Sequence, residues 1–337
     1  MIEMFSKAEN IYFCGFLFYK TGILKIYHGT ENIPPIKSAV VTVGTFDGLH
    51  LGHQKIIARM KEIAKRLNGE TVLVTFSPHP RRVLYEDSKD LKLILTDKKK
   101  YELLEKFGID HLIVIPFTKE FAKKSPAEFV KEILVKKTGM KYYVIGYDHR
   151  FGKGRGSTYE EIMELARQYG FEVEKVDAVV IDGITVSSTK IRQALKEGNI
   201  RLANKMLGFE YSITGKVVEG DKIGRTLGYP TANLEISDEY KLIAAKGVYA
   251  CRVERKGKMY YGMGNIGYRP TINGNKDLRT EVHIFDFNEM IYGEEITVYF
   301  VDRIRDEKKF KNLDELKKQL QEDEKTVRRF FQLYDGK

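Results

Sequence analysis

Between about residues 37 and 181 the chain alternates short runs of β-branched and aromatic residues with longer stretches whose apolar positions recur at helical spacing. That alternation predicts strands joined by crossover helices, as in a parallel sheet. Strands are expected at 40–43, 71–76, 111–115, 142–145 and 171–176. Between the first two, Ile56, Met60, Ile63 and Leu67 share a helical face and Asn68-Gly69 supplies a stop, so a helix is expected to begin just after Gly52. Ser125-Pro126-Ala127-Glu128 reads as a helix start, with a capping hydroxyl, a proline in the first turn and a carboxylate three residues on. Ser157 and Glu160 repeat that spacing. Together these features predict a doubly wound α/β domain with its ligand crevice at the carboxyl ends of the strands.

After a helical stretch over 188–207 the texture changes at Gly208. Short apolar runs at 212–218, 248–253, 260–263, 281–287 and 296–301, punctuated by glycines, suit an antiparallel β-barrel, and a last helix is expected over 313–331. The expected organisation is an extension over 1–23, an α/β domain over 24–207 and a barrel domain with a C-terminal helix over 208–337, since 337 residues are many for one core. The extension holds an aromatic run, 11–19, too short to span a bilayer. It lacks the basic start and small-residue close of a secretory signal.

The formal net charge of +10 fits nucleic acid, an anionic membrane or small polyanions. Its basic residues fall in short runs inside predicted helices (98–100, 136–137, 317–318, 328–329), which read as solvated faces, so neither a nucleic-acid nor a membrane partner is expected. Cys14 and Cys251 stand far apart in no ligand spacing, which gives neither a disulfide framework nor a zinc site and points to a reducing cytoplasm.

The segment Gly44-Thr45-Phe46-Asp47-Gly48-Leu49-His50-Leu51-Gly52-His53 lies between a predicted strand and a predicted helix. Its glycines let backbone amides approach a phosphate, and the helix start adds donors and a positive dipole end. It is neither a Walker A loop nor a dinucleotide fingerprint. His50 and His53 can together donate to an α-phosphate on which charge builds during in-line attack. The rival readings are a metal pair, which lacks a third ligand at sensible spacing, and ordinary helix-cap histidines.

With Phe76-Ser77-Pro78-His79-Pro80, Gly146-Tyr147-Asp148-His149-Arg150-Phe151-Gly152 and Val186-Ser187-Ser188-Thr189-Lys190-Ile191-Arg192, this segment resembles the HxGH nucleotidylyltransferase superfamily. More narrowly, it resembles the bacterial bifunctional riboflavin kinase/FMN adenylyltransferases. The resemblance implies a Rossmann-like first domain in which Ser187, Ser188, Thr189 and Arg192 hold the polyphosphate, with Asp148 near the adenylate and flavin phosphate and Pro78-His79 near the flavin.

A second glycine-rich stretch, Gly215 to Arg225, precedes Gly228-Tyr229-Pro230-Thr231-Ala232-Asn233. Such a loop, with Gly220, Gly224 and Arg225, can fold its amides around ATP phosphates, while Thr231 and Asn233 offer neutral oxygens to Mg²⁺. The chain continues with 264–271, then Glu281-Val282-His283-Ile284-Phe285-Asp286-Phe287 and Tyr292-Gly293, in an order that resembles the riboflavin kinase domain. The resemblance implies that Thr231 and Asn233 bind Mg-ATP and that Glu281 is the base facing the ribityl 5′-hydroxyl. Strand alternation puts Glu281 on the face of His283, Phe285 and Phe287.

The expected chemistry is riboflavin plus ATP to FMN in the second domain, then FMN plus ATP to FAD and pyrophosphate in the first, both with Mg²⁺. A different HxGH transferase, acting on pantetheine phosphate, a nicotinamide mononucleotide or glycerol phosphate, is disfavoured by the second domain. A nucleic-acid-binding protein on a nucleotide-binding fold is suggested only by the charge, with no RNA-recognition motif to support it.

Overall fold

A computed structural model describes residues 22–88, 91–147, 158–270 and 276–335. The chain divides into two compact units between Ser188 and Thr189.

In the first unit, β1 (Lys25–His28), β2 (Val40–Val43), β3 (Thr71–Ser77), β4 (His111–Pro116), β5 (Tyr142–Gly146) and β6 (Glu172–Val176) form one sheet in the order β1-β4-β3-β2-β5-β6. Every neighbouring pair is parallel. β2 is buried throughout, as its unbroken Val-Val-Thr-Val run requires of a strand covered on both faces. Val41, Val74, Ile113 and Tyr143 meet Phe129 and Ile133 in the core on one side. β1 adds an edge strand that the hydrophobic pattern does not reveal, since three of its four residues are exposed.

Helix α1 (Leu51–Leu67) starts two residues earlier than expected, because its N-cap is His50, whose ring nitrogen accepts from the His53 amide. Asn68 ends it in the left-handed conformation. A cis Ser77-Pro78 peptide leads into the short α2 (Pro80–Leu84), and α3 (Asp97–Phe107) is capped by Thr96. Ser125 and Glu128 form a full capping box at α4 (Pro126–Phe129), which runs on into a π-helical turn, Val130–Val135. At α5 (Tyr159–Tyr169) the box is Thr158 with Glu161, one residue beyond the expected pair; Ser157 lies outside the described residues. A hairpin of β7 (Val180–Ile181) and β8 (Ile184–Thr185) precedes α6 (Ser188–Glu197), inside which the division between units falls.

The expected single helical stretch over 188–207 is two helices. Gly198, at φ +77°, separates α6 from α7 (Ile200–Leu207), and a Cβ there would fall 2.8 Å from the Arg303 side chain. The second unit then closes into a barrel of β9 (Tyr211–Val218), β10 (Ala232–Glu235), β11 (Gly247–Arg255), β12 (Lys258–Pro270), β13 (Lys276–Ile284) and β14 (Glu295–Arg305), in the order β10-β13-β12-β11-β14-β9. A short α8 (Ile223–Thr226) lies between β9 and β10, and α9 (Leu313–Asp335) ends the chain. The apolar stripe of α9, including Val327 and Phe331, buries itself with Leu227, Tyr229, Met263 and Phe285. β13 stops at Ile284, so the expected alternation reaches only Phe285, whose ring lies 5.8 Å from that of His283. Beyond the left-handed Asp286 (φ 55°), Phe287 packs on Tyr260 instead.

Candidate functional site

In the first unit the chain order of the sheet reverses beside β2: one run leads outward through β3 and β4, the other through β5 and β6. Such a switch point opens a crevice at the carboxyl ends of the strands. Gly44 to His50 leaves β2 at that place. Phe46 (φ 48°), Gly48 (φ 88°) and Leu49 (φ 41°) all take the left-handed conformation, which folds the segment tightly between strand and helix. Gln54, buried, donates from its side-chain amide to the Leu49 carbonyl at 2.8 Å, and Thr75 donates to the Thr45 carbonyl at 3.4 Å. The Asp47 carboxylate accepts from the Ile94 and Leu95 amides at 3.0 and 3.2 Å, while its carbonyl accepts from the Ser188 hydroxyl at 2.8 Å. Asp47 thus ties the loop at 94–95 and Ser188 to the glycine-rich segment.

The two imidazoles are stacked, with centroids 3.7 Å apart, and the Phe46 ring lies 4.6 Å from that of His53. A Cβ at Gly52 would sit 3.2 Å from the His50 ring, and one at Gly44 3.0 Å from the Phe46 ring. Burial holds His53 neutral, well below the ordinary imidazole range, and His50 adds to the shift. Its Nδ1 is buried without a hydrogen-bond partner among the described residues. A neutral imidazole still carries one N–H, so the pair can donate to a phosphate oxygen without serving as acid.

His79 caps α2, its Nδ1 accepting from the Arg81 amide at 3.2 Å, directly after the cis Pro78. Ser187 precedes α6, and Thr189 and Arg192 follow Ser188 on its first turns, across the division between units. Asp148 lies outside the described residues.

In the second unit Asn233 of β10 is paired in register with Glu281 of β13 on one side and Val218 of β9 on the other. Thr231 donates to Glu281 Oε2 at 3.5 Å, the long limit of a hydrogen bond. Asn233 is buried, and its Oδ1 has no hydrogen-bond partner among the described residues. The glycine-rich stretch closes over this point. A Cβ at Gly220 would fall 2.3 Å from the Asn233 side-chain amide and one at Gly224 2.3 Å from the Tyr229 carbonyl. Arg225 reaches the Tyr292 hydroxyl at 3.4 Å. A hydroxyl, a buried amide oxygen and a carboxylate therefore converge at one rim of the barrel, beneath a loop that only glycine fits.

A family model for FAD synthetase matches residues 33–190, and one for riboflavin kinase matches residues 207–331. The bifunctional riboflavin kinase/FMN adenylyltransferase of Escherichia coli strain K12 is 36% identical, covering 92% of this chain and 99% of that protein. The protein of the same name from Listeria monocytogenes is 39% identical over 87% of this chain and 92% of its own. The chain belongs to this family. A bifunctional riboflavin kinase/FMN adenylyltransferase makes FMN from riboflavin and FAD from FMN, with ATP as the other substrate of each step. A crystal structure described as a macrolide-efflux protein from Streptococcus pneumoniae has the same fold, with TM-score 0.83 and 36% identity over 91% of this chain and 99% of that one. Among the described residues, no helix is long and apolar enough to cross a membrane.

The sequence reading misses Gln54 and the Ile94-Leu95 amides, which build the first site through contacts distant along the chain. Arg328 of α9, expected on a solvated face, instead bonds Glu324 and Asp286, and its spacing of four residues from Glu324 signals a helical ion pair.

Proposed function

We propose that residues 208–337 phosphorylate riboflavin and residues 24–207 adenylylate the FMN that results, with 1–23 an extension outside both. In the kinase step Glu281 accepts the proton of the ribityl 5′-hydroxyl as its oxygen attacks the γ-phosphorus of ATP and ADP leaves. The amides of the stretch holding Gly220, Gly224 and Arg225 cradle the polyphosphate. Thr231 and Asn233 fit a hard cation: both are neutral oxygen donors, and the buried Asn233 Oδ1 lacks another partner among the described residues. Mg²⁺ bound there with ATP would supply charge neutralisation on the phosphates.

In the adenylyl step a phosphate oxygen of FMN attacks the α-phosphorus of a second ATP and pyrophosphate departs. His50 and His53 donate to the α-phosphate as charge gathers on it, and the amides from Gly44 through Gly52 hold the chain of phosphates. Ser187, Ser188, Thr189 and Arg192 complete that grip, with Asp148 near the adenylate and flavin phosphate and Pro78 and His79 near the flavin. The partners are small molecules, with neither nucleic acid nor membrane, and the place of work is the cytoplasm.

The observation that carries the reading is the convergence of Thr231, Asn233 and Glu281. Incubation with riboflavin, Mg²⁺ and ATP, followed by separation of the flavins, tests it. His53→Ala should accumulate FMN without FAD. Glu281→Ala should leave riboflavin untouched yet convert supplied FMN to FAD. Loss of both activities from either variant with its fold intact would sink the assignment.

A further inference from the structure

The stretch that carries Thr231 is gripped from outside the barrel by the C-terminal helix. The Tyr229 hydroxyl donates to Glu324 Oε2 at 3.0 Å. One turn further along α9, Arg328 donates through Nε to Glu324 Oε1 at 2.8 Å and through both terminal nitrogens to Asp286 at 2.9 Å each. Asp286 lies in the turn after β13, the strand of Glu281. The helix is thus tied at one point to the segment two residues before Thr231 and at another to the end of the strand that bears the carboxylate.

Its own position is fixed by the neighbouring residue. Asp323 is buried and takes a bidentate pair of hydrogen bonds from Arg305 of β14, at 2.8 and 2.7 Å, which sets the rotation of α9 against the barrel. Tyr229 is held on its other side as well. Its amide donates to the Gly224 carbonyl at 2.7 Å, so the glycine-bearing turn rests on Tyr229. His283, two residues beyond Glu281, bonds through Nδ1 to the Pro230 carbonyl at 2.8 Å, and its ring lies 5.1 Å from that of Tyr229.

We infer that Tyr229, Glu324 and Arg328 are positioning residues of the kinase reaction, through which α9 sets the Thr231 and Asn233 oxygens at their distance from Glu281. This inference rests on the proposed roles of those three residues. Catalysis by placement is sensitive to shifts of an ångström, and a segment released at Tyr229 would hold the phosphates less well before and during transfer.

The full-length protein tests it through steady-state riboflavin kinase kinetics at varied Mg²⁺, with adenylylation of supplied FMN as the control. Tyr229→Phe, which removes only the hydroxyl, should lower kinase kcat/KM about tenfold and raise the half-saturating Mg²⁺, with FMN adenylylation within about twofold of the parent. Glu324→Ala, which also takes an acceptor from Arg328, should lower it at least as far, and the double variant should be no worse than Glu324→Ala, since the bond of the Tyr229 hydroxyl is already gone there. Glu324→Gln keeps an oxygen for the phenol and should recover most of the rate. Kinase parameters unchanged in Tyr229→Phe, additive losses in the double variant, or Glu324→Gln as weak as Glu324→Ala would each overturn the inference. Glu281→Gln and Asn233→Ala separate the two levels. If they abolish the kinase while the Tyr229 and Glu324 variants keep it, only the positioning role fails; if they leave it intact, the site itself has been misassigned.

Discussion

His53 shows how one side chain's surroundings choose its chemistry. Packed between the His50 and Phe46 rings, it loses more solvation on protonation than the site returns, so burial keeps it neutral. The unfolded chain takes up that proton near the ordinary value of 6.5, the folded chain only well below it. Between those values the unfolded state binds more protons, so the stability that His53 contributes is present above 6.5 and drains away as the pH falls. Denaturant unfolding followed over about pH 5 to 7 should therefore show a slope that flattens in His53→Gln. Gly52 makes a sterner steric demand. A methyl group there would stand 3.2 Å from the His50 ring, so Gly52→Ala should displace the imidazole and cut FMN adenylylation about tenfold while riboflavin phosphorylation is unchanged. The histidine pair was legible because its spacing at a helix start is a local property. The partners of Asp47 were not, since the Ile94 and Leu95 amides reach it from more than forty residues away.

At the scale of elements, what could be read was what local chemistry decides. β2 stands at the residues expected for it because four buried positions in a row leave no other reading, and the Ser125 box sits where its hydroxyl and carboxylate place it. Four strands escaped, the two-residue β7 and β8 and two others whose reasons differ. β1 exposes most of its side chains, and β10 is four residues long, its identity as a strand fixed by pairing with β9 and β13. The π-helical turn after α4 likewise answers to tertiary packing rather than to any propensity signal. Helix α9 was expected from its periodicity, but its seat on the barrel depends on Arg305 and Asp323, eighteen residues apart. Asp323 is buried, so Asp323→Ala would strand the guanidinium without its partner and should destabilise the protein by about 3 kcal/mol, read as a lowered denaturant midpoint at constant slope.

For the whole molecule, the decisive feature is that its two chemistries draw on different stretches of chain. The stacked imidazoles belong to the first compact unit, and Thr231, Asn233 and Glu281 belong to the second. The product of one is the substrate of the other, so a defect in either can be supplied from outside. His53→Ala alone should stop at FMN, and Glu281→Ala alone should leave riboflavin as it is. An equimolar mixture of the two should make FAD from riboflavin, after a lag during which FMN builds up in solution. The lag should shorten as both proteins are concentrated together, because FMN is then consumed faster at any given FMN concentration. Chromatographic separation of the flavins over time reads this directly. A mixture that makes FMN but no FAD, when Glu281→Ala still converts supplied FMN, would mean that FMN stays bound to the chain that made it.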